Sequence, residues 1–286
     1  MAKNVITTPT VDIDQPIDLE STMESGQVFR WEKNQDWYIG VIQRYGYAIK
    51  QTSSGLLVTT SNPDKGDTIK SISNFFRLED DLGKLYTNLQ HDQVLNSAFQ
   101  RWRGLRLIKQ DPWECLISFV CSSVSNIPRI KKNLNSLAKY YGRPIYLGDS
   151  TVYEFPSATQ LSKVSVHDLS KLGFGFRAEY IVKIVNHELS GMLNLQKLLI
   201  ESYANAKAKL TELPGVGNKI ADCVLLFALE KLEGFPIDRW IMRALVDWYG
   251  HSENAKYSNL VCWAHKMWGT SAGYVQQYMY QQRRLS

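Results

Sequence analysis

Apolar and polar positions follow two regimes along the chain. In the first part they come in short aromatic and β-branched runs: Trp37-Tyr38-Ile39-Gly40-Val41-Ile42, Tyr45-Gly46-Tyr47-Ala48-Ile49-Lys50 and Leu56-Leu57-Val58-Thr59-Thr60. Asn34-Gln35-Asp36, Tyr45-Gly46 and Ser53-Ser54-Gly55 separate them. Such runs between turn residues predict an antiparallel meander. The run Ser25-Gly26-Gln27-Val28-Phe29-Arg30-Trp31 reads as the start of that sheet. Residues 1 to about 20 are polar, with Thr8-Pro9 and Gln15-Pro16, and read as an extended lead-in.

From Phe75 onward the period becomes helical. Leu82, Leu85, Tyr86 and Leu89 share one face, and Leu95, Phe99 and Trp102 another. Asp111 and Pro112 form a helix start, as N-cap and first residue, and that helix runs through Phe119 to Cys121. The next carries Ile130, Leu134, Leu137 and Tyr141. Residues 143–157 read as a Pro/Gly loop and 161–172 as a helix. Gly173 and Gly175 then interrupt, and 180–189 continues helically. The fold class is α+β: an N-terminal antiparallel β-sheet domain with helices at its end, residues 1–105, then a mainly α-helical domain, residues 106–286.

The chemistry concentrates late in the chain. Pro214 and Gly215 break a helix ending at Leu213, and a new helix spans 218–229. Free N–H groups at that start, beside the bare backbones of Gly215 and Gly217, make a phosphate-binding geometry without side chains. Lys219 lies in the first turn, where the helix macrodipole disfavours a positive charge and stability alone would favour Asp or Glu. An amine kept in such a place is a candidate nucleophile and can form a Schiff base. Asp238 stands just past Pro236, before a helix over 239–249. Singly, these residues have plain readings: a solvated lysine, an N-cap carboxylate, an interhelical turn. Their combination is far less common than any part of it.

The stretch Leu213-Pro214-Gly215-Val216-Gly217-x-Lys219-x-Ala221-Asp222-Cys223, with Pro236-Ile237-Asp238, resembles the helix-hairpin-helix (HhH-GPD) signature of DNA glycosylases. Within that superfamily it is most similar to the 8-oxoguanine DNA glycosylases. The likeness extends from about Gly26 to Tyr280. It implies a bifunctional glycosylase/AP lyase with Lys219 as nucleophile and Asp238 as its carboxylate partner. Gly26-Gln27-x-Phe29-Arg30-Trp31 resembles a family motif in which the glycine carbonyl accepts the N7–H of 8-oxoguanine, an atom at which guanine bears a bare acceptor. Buried acceptors facing each other are costly, so one N–H discriminates. Phe29 then lies near the pocket, Cys223 against one face of the base, Tyr280 stacked on the other, and Gln276 at its pairing edge.

The same resemblance implies the duplex contacts. Asn126 and Arg129 sit at the corner that enters the gap left by the flipped base, with Arg129 reading the orphaned cytosine. Val124 stands where the family has a run of asparagines. Phe176 and Arg177 match residues that wedge the duplex and contact the opposite base. Gly215, Val216 and Gly217 grip phosphate, and Arg239 and Trp240 meet the DNA backbone, Trp240 replacing a common histidine. No redox cofactor or catalytic metal is implied, and a structural cation at the hairpin carbonyls is compatible with the motif. The implied partner is duplex DNA containing 8-oxoguanine, bound by a monomer.

Composition sets outer bounds. A net charge of +5 permits a polyanionic partner without demonstrating one. Cys115, Cys121, Cys223 and Cys262 form no C-x-x-C pair, so a zinc site is not expected and the thiols fit a reducing compartment. No apolar run reaches membrane-spanning length and no secretory leader is visible. An intracellular protein follows, of the cytoplasm and nucleoid or of a nucleus. Two other readings stay open: an alkyl-base glycosylase of the same superfamily, which needs no lysine nucleophile, and a non-catalytic hairpin module that only binds DNA.

Overall fold

The computed structural model describes residues 9–285; residues 1–8, the first part of the expected lead-in, lie outside it. The meander is present as β2 (Glu32–Asn34), β3 (Trp37–Ile42), β4 (Tyr45–Gln51) and β5 (Gly55–Thr60), each antiparallel to the next. The lead-in adds what sequence did not predict. β1 (Thr10–Asp12) pairs with β5, and a short helix α1 (Leu19–Met23) follows, so the sheet order is β1-β5-β4-β3-β2. Alternation along β3 and β5 buries one face, and Tyr47, Ile49, Leu56 and Val58 meet Ile72 and Phe75 of α2 (Lys65–Phe75). Gly40 of β3 lies under Trp31, whose ring is 5.4 Å from that of Phe75.

Ser25 to Trp31 is not the start of a strand. It is an irregular segment lying between two cores, because its side chains belong to both: Val28 and Trp31 join the sheet core and Phe29 the helical core. Gln27 fixes it there. This fully buried amide donates to the Arg106 carbonyl (2.8 Å) and Ser25 Oγ (2.9 Å) and accepts from the Ile108 N–H (2.9 Å). Residues 143–157 also differ from the expected loop. Pro144–Leu147 (β6) and Ser150–Tyr153 (β7) form a hairpin against β4, where a side chain at Gly46 would meet Val152 at 3.1 Å. The Arg30 guanidinium bonds the Tyr153 carbonyl (2.6 Å) and lies over Phe155.

The rest is helical. By core membership α3 (Leu82–Leu89) and α4 (Gln93–Arg101) go with this part, ahead of residue 105. α5 (Pro112–Val120) starts on its Asp111 cap, and α6 (Ile127–Tyr141) on Asn126. The single helix expected over 161–172 is two, α7 (Ala158–Leu161) and α8 (Val166–Lys171), because Ser157 and Ser165 each make a capping box. α9 (Arg177–Leu189), α10 (Leu195–Ile200) and α11 (Tyr203–Thr211) lead to α12 (Asn218–Ala228). In α12 every residue from Ile220 to Ala228 is buried, as expected of a helix apolar on nearly all sides. Phe227 stacks on Phe119 of α5 with centroids 5.5 Å apart. α13 (Arg239–Tyr249), α14 (Tyr257–Trp268) and α15 (Ala272–Arg284) complete the chain. α15 returns to the beginning: Gln277 donates to the Ser25 carbonyl (3.0 Å). No helix of the described residues is long and apolar enough to cross a membrane.

A methyl group at Gly40 would overlap the Trp31 ring. Gly40→Ala is therefore expected to lower unfolding free energy by about 1–3 kcal/mol, measured as a fall in the urea midpoint at unchanged slope.

Candidate functional site

The hairpin between α11 and α12 is built from two features. Gly215 has φ +78°, and a side chain there would also overlap the Tyr180 ring, so glycine is required twice over. Gly217 is extended backbone at the N-cap of α12 and offers no side-chain cap. The first N–H groups of α12 therefore face outward without an internal side-chain acceptor. Val216 is buried beneath the turn, so it contributes backbone rather than side chain.

Lys219 is half-buried. Its Nζ lies 3.3 Å from Ser122 Oγ and 5.2 Å from the centroid of the Phe119 ring. Asp238 caps α13: Oδ1 accepts from the Trp240 and Ile241 N–H groups, both at 2.9 Å. The plain N-cap reading of Asp238 is thus true, and it fixes the carboxylate's direction. The other oxygen keeps its acceptor capacity. Lys219 and Asp238 line one cavity of about 930 Å³.

That cavity collects most of the residues that the sequence singled out. Gly26, Phe29, Cys223, Gln276 and Tyr280 line it, as do Asn126, Gly215, Gly217, Arg239 and Trp240. Gly26 has φ +74°, and a side chain there would meet Tyr280 Oη at 3.2 Å. Gln276 is buried; its Nε2 donates to the Pro236 carbonyl (3.1 Å), while Oε1 has no partner among the described residues. A buried acceptor left open is costly unless something fills it. Burial pushes the Cys223 thiol up to about 12, against the opposing pull of the Lys219 charge. Burial also raises the Tyr280 phenol.

The corner expected at the duplex is organised differently from expectation. Arg177 does not reach outward. It is buried, and its Nε donates to the Ser123 carbonyl (2.8 Å), Nη2 to the carbonyls of Ser123 and Val124, and Nη1 to that of Phe174 (3.3 Å). The physical reason is that Val124, with φ +48°, turns its carbonyl and that of Ser123 inward, where a guanidinium can hold both. Outward point Val124, 88% exposed, and Phe176, 53% exposed. Asn126 Oδ1 accepts from the Arg129 N–H (3.0 Å) as the cap of α6, leaving its NH₂ as the free part of the amide. Arg129 is exposed beside the Gly173 carbonyl and is not among the cavity's lining residues. Sequence reasoning missed Ser122, the polar neighbour of Lys219, and Arg284, whose guanidinium lies 5.4 Å from the Tyr280 ring. Ser122 directly follows the helix expected to run to Cys121. Arg284 carried no local signal.

Residues 10–116 match the family described as 8-oxoguanine DNA glycosylase, N-terminal domain. The chain is 33% identical over 239 residues to the N-glycosylase/DNA lyase OGG1 of Arabidopsis thaliana, covering 78% of this chain and 63% of that protein. It is 32% identical over 263 residues to an N-glycosylase/DNA lyase of Saccharomyces cerevisiae, covering 84% and 70%. The chain thus spans less than two thirds of the plant protein's length. Among solved structures, the Clostridium acetobutylicum 8-oxoguanine glycosylase/lyase, in complex with duplex DNA bearing cytosine opposite 8-oxoG, superposes with a TM-score of 0.90 at 26% identity. That match covers 100% of this chain and 99% of the other.

Cys115, Cys121 and Cys223 are buried and Cys262 is exposed. A thiol raised to about 12, as burial makes Cys121 and Cys223, is thiolate to only about one part in ten thousand at pH 8, and the thiolate is the reactive form. Native protein at pH 8 is expected to take up one equivalent of iodoacetamide quickly, at Cys262, and the other three only after unfolding, as read by peptide mass spectrometry.

Proposed function

The chain belongs to the 8-oxoguanine DNA glycosylase family, and from that premise we propose that it is a bifunctional DNA glycosylase/AP lyase excising 8-oxoguanine from duplex DNA. One observation carries the reading: an amine, a carboxylate and an unfilled buried amide oxygen line the same cavity. The damaged nucleotide is extruded into it, at a cost of a few kcal/mol in lost stacking and pairing. The open Gln276 Oε1 suits a base whose pairing edge presents N–H donors. The Gly26 carbonyl would take the N7–H that distinguishes 8-oxoguanine from guanine. Tyr280 and Cys223 would flank the ring.

In this reading the Lys219 amine attacks the anomeric carbon as the glycosidic bond breaks, and the bonding pair leaves with the base. Asp238 stabilises the positive charge that develops on the sugar and helps take the proton from the amine. The amine then forms a Schiff base with the opened sugar, and loss of the adjacent C–H proton expels the 3′ phosphate. The bare hairpin backbone at Gly215, Val216 and Gly217 would hold phosphate, with Arg129, Arg239 and Trp240 along the duplex. The protein acts as a monomer where DNA is kept, in cytoplasm and nucleoid or in a nucleus, and its buried free thiols accord with a reducing compartment.

Borohydride is expected to trap the wild-type protein on an 8-oxoguanine duplex and to leave Lys219→Gln uncaptured. Capture persisting in that variant removes Lys219 from its role. Asparagine caps helices as well as aspartate, so Asp238→Asn should keep α13 and the melting temperature. It should still slow single-turnover base release by about 10²- to 10⁴-fold. An unchanged rate with intact folding would remove Asp238 from its catalytic role.

A further inference from the structure

Asp222 stands one turn after Lys219 on α12 and has no exposed surface. A buried carboxylate persists only where donors surround it, and three do here. Tyr203 Oη donates to Oδ1 at 2.6 Å, while Tyr257 Oη (2.6 Å) and Lys207 Nζ (2.8 Å) donate to Oδ2. The Lys207 ammonium sits over both phenol rings, 5.3 Å and 5.1 Å from their centroids. Burial first, and the Asp222 charge second, push both phenols far above their ordinary range, so both stay donors at any working pH.

Tyr257 does something that Tyr203 does not. While donating to Asp222, its oxygen accepts the N–H of Ile237 at 3.2 Å. Ile237 is the residue immediately before Asp238. The chain Asp222–Tyr257–Ile237 therefore ties the helix that carries Lys219 to the segment that carries Asp238. Neither Asp222 nor Tyr257 lines the cavity, so neither is placed to touch a bound nucleotide.

We propose that Asp222 and Tyr257 are positioning residues, a two-link tether that holds the Asp238 carboxylate at its working distance from the Lys219 amine. The inference rests on the functional reading above, since the distance matters only if the two groups act on one sugar. Asp238 has its own cap bonds for direction. What the cap cannot set is where α13 begins relative to α12, and the tether supplies that. Displacements of about an ångström at reacting groups cost on the order of a hundredfold in rate.

The test compares two hydroxyl deletions. Tyr257→Phe removes the tether to Ile237, whereas Tyr203→Phe removes an equally short bond to the same carboxylate and leaves the tether intact. Tyr257→Phe is expected to slow single-turnover release of 8-oxoguanine on the order of ten- to a hundredfold, with lesion-duplex affinity unchanged, and Tyr203→Phe to stay near the wild-type rate. Trapping at a preformed abasic site should suffer less in Tyr257→Phe than base release does. Amide exchange at Ile237 should be protected in wild type and faster in Tyr257→Phe. A full excision rate in Tyr257→Phe overturns the proposal, as do equal losses in both variants that follow their melting temperatures. If Tyr257→Phe does not fold, the wild-type measurement decides, and an unprotected Ile237 amide overturns it. Wild-type protein that neither excises nor traps overturns the functional reading itself, a result distinct from an active wild type with an equally active Tyr257→Phe.

Discussion

The structure depends on burying α12 from all sides. Nine consecutive residues, Ile220 to Ala228, are buried, and fully burying a large apolar side chain contributes about 1.5–3 kcal/mol each. A helix so enclosed meets open solvent at its ends, while Ile220, Cys223 and Phe227 border the cavity. Its N-terminus therefore becomes the place where backbone donors, the bare turn of Gly215 and Gly217, and the one long polar side chain of the first turn, Lys219, are presented together.

The cavity in front of that end exists because two cores meet without merging. Phe29 packs with the helices while its neighbours Val28 and Trp31 pack with the sheet, and the Gln27 amide holds the segment between them. The opposite wall comes from α15, joined to this segment by the bond from Gln277 to the Ser25 carbonyl. Walls drawn from the two ends of the chain explain why Gly26, Cys223, Gln276 and Tyr280 share one space despite their separation in sequence.

Local signals were read well and tertiary ones poorly. The meander, the Asp111-Pro112 helix start and the Gly215–Gly217 turn were legible because each is set by neighbours along the chain. The resemblance supplied the cavity residues, and the fold brings them together. The segment from Ser25 to Trp31 looked like a strand because its residues are strand formers, but its hydrogen bonds go to the backbone around Arg106 and Ile108. The β6–β7 hairpin was hidden by Pro144, which opens β6, and Gly148, which turns between the strands, and the break in 161–172 by Ser165, whose capping box starts a new helix. Arg177 could not be assigned from sequence, since an arginine among glycines and aromatics looks exposed until the carbonyls it binds are seen.

That inward arginine sets the character of the corner at Val124 and Phe176. With the guanidinium occupied by three carbonyls, the surface offered at Val124 and Phe176 is hydrocarbon. A hydrocarbon tip entering a duplex displaces water and unstacks bases but releases no condensed counterions. Ionic strength would therefore act on the charged residues around it, Arg129 and Arg239, and leave the contribution of the tip intact. On the proposed reading, grip on the backbone and intrusion between the bases would answer to different solvent conditions.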